Sequence, residues 1–510
     1  MSNPLRASRF LEQTLLWNIV IHLWAMATMA LIVMPGLPGG PLPDDASRIA
    51  YVAAHPWLWP LGWLPWHLCA LIDLITGVAL VATRWVPRLP AILTLLVTIA
   101  AVACEQTGEL PWSTLGSNYA SEAIARGDLE SYLAFERDVF HKTVVLGASF
   151  YVVMAFGWTW CFAAAGTWSP TLTWLSFPTW GLLAVGSIGL LLPEPWRPNS
   201  QVVGVTNGLG FTLLAIWLWL VSDRVLARSR LPQPHGRYAL WRHPSSRIAT
   251  IIANSLTFRA FGEWLPAVAF RSDITDVIYV NYLVDADRLA TYVPDGLELQ
   301  RLGPGGKFSL FTALTYNHGH FGPALVGPLR RLLPSPVHSN WRTYVRDPRT
   351  GKDGIYFVTN AIGNTLNALA ARHLAEGMPM HVPKTALVKR QADGSIIMRL
   401  DPGRGSAPDL EASLRPGSKD LPAEWTECFK DWRAFLEFCV PQDRAFSSQP
   451  WYGRITRQEI QLGIPLEICE PLIGDVTSQA ARAIIGDAAP VCFRVPVVAF
   501  RFEREEYEFV

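Results

Sequence analysis

The sequence predicts an α-helical membrane bundle of about six spans, followed by an α+β domain on a largely antiparallel, barrel-like sheet. Three observations predict this: an uneven charge distribution, the length of the early apolar runs, and a later change to short β-rich segments. The 510 residues are 50% hydrophobic and 17% charged, too apolar on average for a soluble protein of this length. Residues 1–230 hold 25 charged side chains (11%), and 231–510 hold the other 60 (21%). Sixteen of the 22 Trp also precede residue 231, as expected where indole rings sit at bilayer interfaces. The division expected is a transmembrane domain over 1–222, a basic juxtamembrane linker over 223–265 and a soluble domain over 266–510. A net charge of +1 excludes a global field that would draw nucleic acid.

A bilayer core of about 30 Å needs about 20 apolar residues in helix. Leu15–Met34, Trp57–Ala82, Leu89–Cys104, Thr143–Ala165, Leu172–Leu192 and Val202–Val221 meet or approach that length. Arg6 and Arg9 precede the first run, as in a signal peptide, but no small-residue cleavage site closes it, so an uncleaved span is expected. The basic residues near the span ends place Arg6, Arg9, Arg84, Arg88, Arg224, Arg228 and Arg230 on one side. The opposite side receives a loop read over 105–142, acidic through residues such as Glu105, Glu109 and Glu136. By the positive-inside rule both termini and the polar half are cytoplasmic, in a bacterial-type inner (plasma) membrane with the lipid bilayer as partner. Asp73 falls mid-span, where a charge is costly and usually faces a partner or a wet cavity. Its depth matches that of His22 on the preceding span, so a His22–Asp73 pair is an expected polar site or interhelical clamp. His67 and His141 lack the matched spacing of haem ligands. The seven Cys form no CxxC pair and read as free thiols.

The connector LARSRLPQPHGRYALWRHPSSR carries five Arg and three Pro, suited to anionic headgroups. Ile248–Phe261 has near-helical apolar spacing. Beyond it, strands are expected over Asp276–Leu283, Lys307–Tyr316, Arg342–Arg346, Ile355–Asn360, Ala386–Lys389, Ser395–Leu400, Trp451–Glu459 and Val491–Phe502, bounded by turn clusters such as GPGG and DPGRG. Helices are expected over Asn364–Glu376, Ala423–Phe438 and near Ser478–Ile485. The connections are mostly too short for crossover helices, so the sheet should be antiparallel and curl around a cavity.

The segments DVIYVNYLVDADRLATYVPDGLELQ and SNWRTYVRDPRTGKDGIYFVTNAIGNTLNALAARHLAEGMPMHVP resemble the uncharacterised YqjF-like group, over roughly residues 265–505. That group stands in the acetoacetate decarboxylase-like superfamily, and the resemblance implies an antiparallel, cone-like sheet with helices around it. It also places Lys384, in MHVPKTALVKR, at the superfamily's Schiff-base position. Lys384 is one of only seven Lys beside 36 Arg, and Arg cannot form an imine. A Schiff-base lysine must be neutral, which needs burial or a neighbouring cation; Thr385 replaces the family's adjacent Lys, leaving Lys389 or Arg342 to supply charge. His338 stands where the family's acidic residue precedes the Arg of "R-T-Y-V".

Arg342 and Tyr344, two apart on a strand, share a face. An inward Arg needs an anionic partner: an acidic ligand, or an internal carboxylate such as Asp276. Arg372 reads as a local cap or pair. His318-Gly-His320 could set two imidazoles on one strand face, but no third ligand cluster lies near, and neither a metal nor a cofactor is expected. No Walker, Rossmann or Gly-x-Ser-x-Gly pattern occurs. The function expected is a cytoplasmic domain that binds a small organic acid or apolar ligand without chemistry, with Arg342, Tyr344 and His338 as contacts. The alternative is a Schiff-base carbon–carbon lyase acting through Lys384.

Overall fold

A computed structural model describes residues 4–229, 241–266, 269–374, 380–440, 442–449, 454–502 and 506–509. It divides into two compact units, Met1–Ser229 and Arg230–Val510.

The first unit is helical: α1 (Pro4–Thr28), α2 (Asp45–Ala54), α3 (Leu58–Ala82), α4 (Arg88–Arg126), α5 (Leu129–Phe140), α6 (Ala148–Ala164), α7 (Pro170–Gly186) and α8 (Ser200–Ser229). Six helical stretches are long and apolar enough to cross a membrane: Ser8–Gly36, Leu58–Ala82, Arg88–Arg126, Leu129–Ala164, Pro170–Leu191 and Ser200–Arg228. One expectation is corrected here. The segment read as an external loop over 105–142 is helix almost throughout, because α4 continues for 39 residues and α5 follows after a two-residue turn at Gly127 and Asp128. At a rise of about 1.5 Å per residue α4 is roughly 58 Å long, about twice a bilayer core. Gly108 lets it approach the following helix closely, since a Cβ there would lie 2.5 Å from Thr143 Oγ1 and 2.6 Å from the Val139 carbonyl.

Burial has changed the role of two other residues of the expected exterior. Arg48 on α2 donates to both carboxylate oxygens of Glu136 on α5, at 2.8 and 3.0 Å. It also donates to Asp45 and to the Gly36 carbonyl. Both side chains of the Arg48–Glu136 pair are 5% exposed, so this is a buried ion pair whose remaining hydrogen-bonding capacity is satisfied.

In the second unit, residues 230–240 of the expected basic connector lie outside the described residues, and Ile248–Phe261 is two short helices, α9 (Arg247–Ala253) and α10 (Leu256–Gly262). The strands are β1 (Phe270–Asp285), β2 (Glu298–Leu299), β3 (Phe308–Asn317), β4 (Gly322–Pro323), β5 (Val337–Asp347), β6 (Lys352–Ile362), β7 (Met380–His381), β8 (Thr385–Arg390), β9 (Ile396–Asp401), β10 (Leu410–Pro416), β11 (Arg444–Gln449), β12 (Arg454–Leu462), β13 (Glu470–Thr477), β14 (Pro490–Phe502) and β15 (Glu506–Phe509). The remaining helices are α11 (Ala286–Ala290), α12 (Thr365–Leu374), α13 (Ala423–Thr426), α14 (Trp432–Cys439) and α15 (Gln479–Ile485).

The main path runs β15-β12-β11-β6-β5-β3-β1-β14-β13-β10-β9-β8. It is antiparallel except where β6 meets β11 and β7, and it ends at β15 and β8, so the sheet is open as a whole. An extra pairing of β12 with β14 over Ile460–Leu462 curls the central strands. The middle of β1, β3 and β5 is buried on both faces, which explains their near-continuous apolar runs. One face packs Tyr279, Leu314, Tyr344 and Phe493 under Phe435 of α14. The other packs Ile278, Phe311, Trp341 and Met398 under Ile484 of α15.

The helix expected over Ala423–Phe438 is split, because Asp431 adopts an extended conformation and its side chain accepts from Ala434 N at 2.8 Å, starting α14 afresh. The start of the strand expected at Trp451 and the end of the helix expected at Glu376 lie outside the described residues.

Candidate functional site

Alternation along β5 sends His338, Asn340, Arg342 and Tyr344 to one face, and all four are buried. Arg342 is 3% exposed, and its surroundings are neutral. Its Nη2 donates to the Cys439 carbonyl at 3.4 Å, and its guanidinium stands 5.4 Å from the centre of the Tyr279 ring and 5.8 Å from that of Tyr344. Its Nε has no hydrogen-bond partner among the described residues. Asp276, the internal carboxylate that could have paired with it, is taken by Arg494 at 2.7 Å, and Arg494 also holds Glu470. Among the described residues no carboxylate pairs with Arg342. Beside it lies a cavity of about 30 Å³ lined by Tyr279, Tyr316, Asn340 and apolar side chains such as Ile355, Phe357, Ile460 and Val498.

A buried hydrogen-bond chain extends from this point. Asn340 Nδ2 donates to Tyr316 Oη at 3.2 Å, and Tyr316 Oη lies 3.0 Å from His338 Nδ1. His318 Nε2 lies 2.8 Å from the same Nδ1, and Ser272 Oγ lies 2.7 Å from His318 Nδ1. Burial holds the His338 imidazole down to about 3, and burial followed by the adjacent His338 holds His318 well below its ordinary value. Both rings are therefore neutral near pH 7. Ser272 Oγ also donates to the Gly319 carbonyl at 3.3 Å, which leaves it an acceptor for His318 Nδ1–H, and His318 Nε2 in turn an acceptor for His338 Nδ1–H. His338 Nε2 is buried without a hydrogen-bond partner among the described residues. Asn360 is paired with Asn340 across β5 and β6, and both ends of its buried amide lack partners. Unsatisfied polar atoms of Arg342, His338 and Asn360 thus share one face of two adjacent strands.

Tyr344 is beside Arg342 as expected, but its hydroxyl is engaged by Thr312 Oγ1 at 3.0 Å and lies 3.4 Å from the Cys439 carbonyl. Lys384 is elsewhere. It is exposed at the entry to β8, its backbone N–H donates to the Asp401 carbonyl at 2.7 Å, and it does not line the Arg342 cavity. Lys389 is likewise exposed. The burial that would neutralise a Schiff-base lysine is missing at Lys384, and Arg342 and Tyr344 are not its neighbours in that cavity. His318 and His320 do not act together, since His318 belongs to the buried chain and His320 sits on the following turn with φ of 54°. Among the described residues no group of three His, Cys, Asp or Glu could hold a metal. Arg372 is buried, and its Nε donates to the Ala253 carbonyl.

In the helical unit, His22 and Asp73 both line a cavity of about 480 Å³. They do not pair directly. Asn18 Nδ2 donates to Asp73 Oδ1 at 2.6 Å, and His22 Nδ1 faces the Asn18 carbonyl at 3.0 Å. Glu105 and Glu109, read from the sequence as loop residues, line the same cavity from α4. Their i,i+4 spacing, in a stretch free of Pro between Cys104 and Leu110, was the signal that could have placed them on one helix face.

Residues 271–432 match the family described as DUF2071, an uncharacterised conserved protein (COG2071). No curated protein matches the chain. Among solved structures, acetoacetate decarboxylase from Legionella pneumophila is 14% identical with a TM-score of 0.34, covering 48% of this chain and 88% of its own. The enduracididine biosynthesis enzyme MppR is 15% identical with a TM-score of 0.34, covering 48% and 88%. An acetoacetate decarboxylase-like enzyme from Sphingomonas wittichii RW1 is 8% identical with a TM-score of 0.35, covering 48% and 94%.

Proposed function

We propose that the sheet domain binds a small organic acid, whose carboxylate pairs with Arg342, and that it does so without covalent chemistry. One observation carries this reading: a guanidinium 3% exposed faces two phenol rings and a carbonyl but no carboxylate. A buried charge without a counter-ion is strongly unfavourable, and a carboxylate would supply the bidentate acceptor that Arg geometry suits. The cavity of about 30 Å³ matches the share of liquid volume of a single water. It therefore takes the carboxylate head, and the apolar wall of Ile355, Phe357, Ile460 and Val498 suits a short apolar tail once the site opens.

The domain lies on the cytoplasmic side of a bacterial-type inner membrane in this proposal, on the strength of the arginines before the first span, between the second and third spans and after the last span. The three-part division at residues 222 and 265 belongs to the same proposal. The lyase alternative draws on Lys384, whose exposure argues for an ordinary surface role.

The test is calorimetric titration of the full chain in detergent with short-chain carboxylates. A hydrogen bond to a charged group contributes about 1.5–3 kcal/mol, so Arg342→Met should weaken binding by roughly ten- to a hundredfold. Arg342→Lys keeps the charge but not the fork and should fall between. Binding that survives Arg342→Met unchanged, or a borohydride-trapped adduct that disappears in Lys384→Ala, rejects the proposal.

A further inference from the structure

The large cavity of the helical unit is apolar in most of its lining yet contains three carboxyl groups: Asp73 from α3, and Glu105 and Glu109 from α4. Among the described residues no Lys or Arg lines it. Two of the three carboxyls are engaged by neutral donors. Asp73 accepts from Asn18, and Glu105 Oε2 accepts from Tyr151 Oη at 2.6 Å. Glu109 differs. It is 1% exposed, its Oε1 has no hydrogen-bond partner among the described residues, its Oε2 lies 3.5 Å from Gln106 Nε2, and the Glu105 carboxyl stands beside it.

The nearest group able to carry a positive charge is His67, with Nδ1 at 3.5 Å from Glu109 Oε1. Its two ring nitrogens are already placed against Gln106 Oε1 and Ser113 Oγ at 2.8 and 3.0 Å. With His22, which lines the cavity and whose Nδ1 faces the Asn18 carbonyl, two histidines stand near three carboxyls. The rest of the wall mixes aliphatic and Met side chains with aromatic ones, among them Trp63, Trp66, Trp112, Trp158, Trp180 and Tyr151. Aromatic faces attract cations and tolerate bulky apolar substituents around them, and about 480 Å³ falls within the range of about 300–1,000 Å³ typical of small-molecule sites.

We infer that this cavity binds a lipophilic organic cation, with the positive centre against Glu109 and Asp73 and its apolar groups against the tryptophans. A neutral apolar ligand would leave Glu109 without a partner, and an anion would meet three carboxyl groups with no Lys or Arg among the described lining. A compact metal ion would find most of its contacts apolar. This assignment is independent of the Arg342 site.

The test compares tetraphenylphosphonium with tetraphenylborate, ions of like shape and opposite charge, by equilibrium dialysis against the purified full chain in a non-ionic detergent at one fixed pH. Saturable binding is expected for the phosphonium at one per chain and not for the borate. Glu109→Gln with Asp73→Asn should weaken phosphonium binding at least tenfold, whereas Glu109→Asp, which keeps the charge, should stay within about threefold of the native chain. Equal binding of both ions, no saturable phosphonium binding, or unchanged binding in the doubly neutralised chain overturns the inference. If the doubly neutralised chain does not elute as a folded protein, the charge preference of the native chain together with Glu109→Asp decides the matter.

Discussion

The two units contain buried ionisable groups of opposite kind, each without an ion-pair partner of Lys, Arg, Asp or Glu among the described residues. In the helical unit, Asp73, Glu105 and Glu109 line a cavity with no Lys or Arg, whereas in the sheet domain Arg342 lines one with no carboxylate. The cavities also differ in size, about 480 Å³ against about 30 Å³, so one has room for a whole ligand and the other for a head group. The contrast with Arg48 and Glu136 is instructive. That pair is as deeply buried, but each charge has its partner and the arginine also satisfies Gly36 and Asp45. Burial alone therefore does not set Arg342 apart from Arg48; the lack of a carboxylate partner among the described residues does.

Four changes break or sharpen that contrast. The largest effect is expected at the compensated pair. Arg48→Met leaves Glu136 buried alone and should destabilise the helical unit by about 3–5 kcal/mol, read as a fall in the denaturation midpoint of the full chain in detergent. Arg342→Met should act in the opposite direction. With no internal carboxylate to strand, replacing the guanidinium by an apolar side chain of like length should stabilise the sheet domain by about 1–4 kcal/mol while removing carboxylate binding. A loss of stability comparable to that of Arg48→Met would show that Arg342 is compensated after all.

The third prediction concerns pH. His318 and His338 are held below the ordinary imidazole value when folded, His338 at about 3, whereas the unfolded chain titrates near 6.5. As pH falls below about 6.5 the unfolded state takes up protons first, so stability is full above that value and declines toward about 3. The slope should approach about 1.4 kcal/mol per pH unit for each histidine. Amide exchange of β3 and β5 at pH 7 and pH 5 checks it, and His338→Gln should flatten the dependence. The smallest effect is expected at Lys384→Ala, which should shift stability by no more than about 0.5 kcal/mol and leave carboxylate binding unchanged in the same titration.

The spans were legible because about 20 apolar residues in a row have few other uses. Glu105 and Glu109 were misplaced for a related reason: the apolar run stops at Cys104, but the helix does not. Below that point α4 turns a face of Glu109, Ser113, Gly116, Ser117 and Ala120 inward, which hydropathy reads as a loop. The strands rich in Val, Ile, Tyr and Phe were likewise legible, whereas β10 was missed because its buried Leu410, Ala412 and Leu414 alternate with Glu411, Ser413 and Arg415 over only seven residues. The face shared by Arg342 and Tyr344 followed from strand alternation, but that it points inward did not. Whether Asp276 would reach Arg342 depended on pairing across 218 positions of sequence, and Arg494 holds it instead. Lys384 was singled out by its place in a motif and by its rarity, neither of which registers exposure.

The central claim is that Arg342 awaits a carboxylate. It is tested most directly by titrating the full chain with propionate and with propionamide, which share shape but not charge. Saturable binding of propionate, absent for propionamide and lost in Arg342→Met, is the expected result; equal binding of the two, or none by propionate, would contradict it.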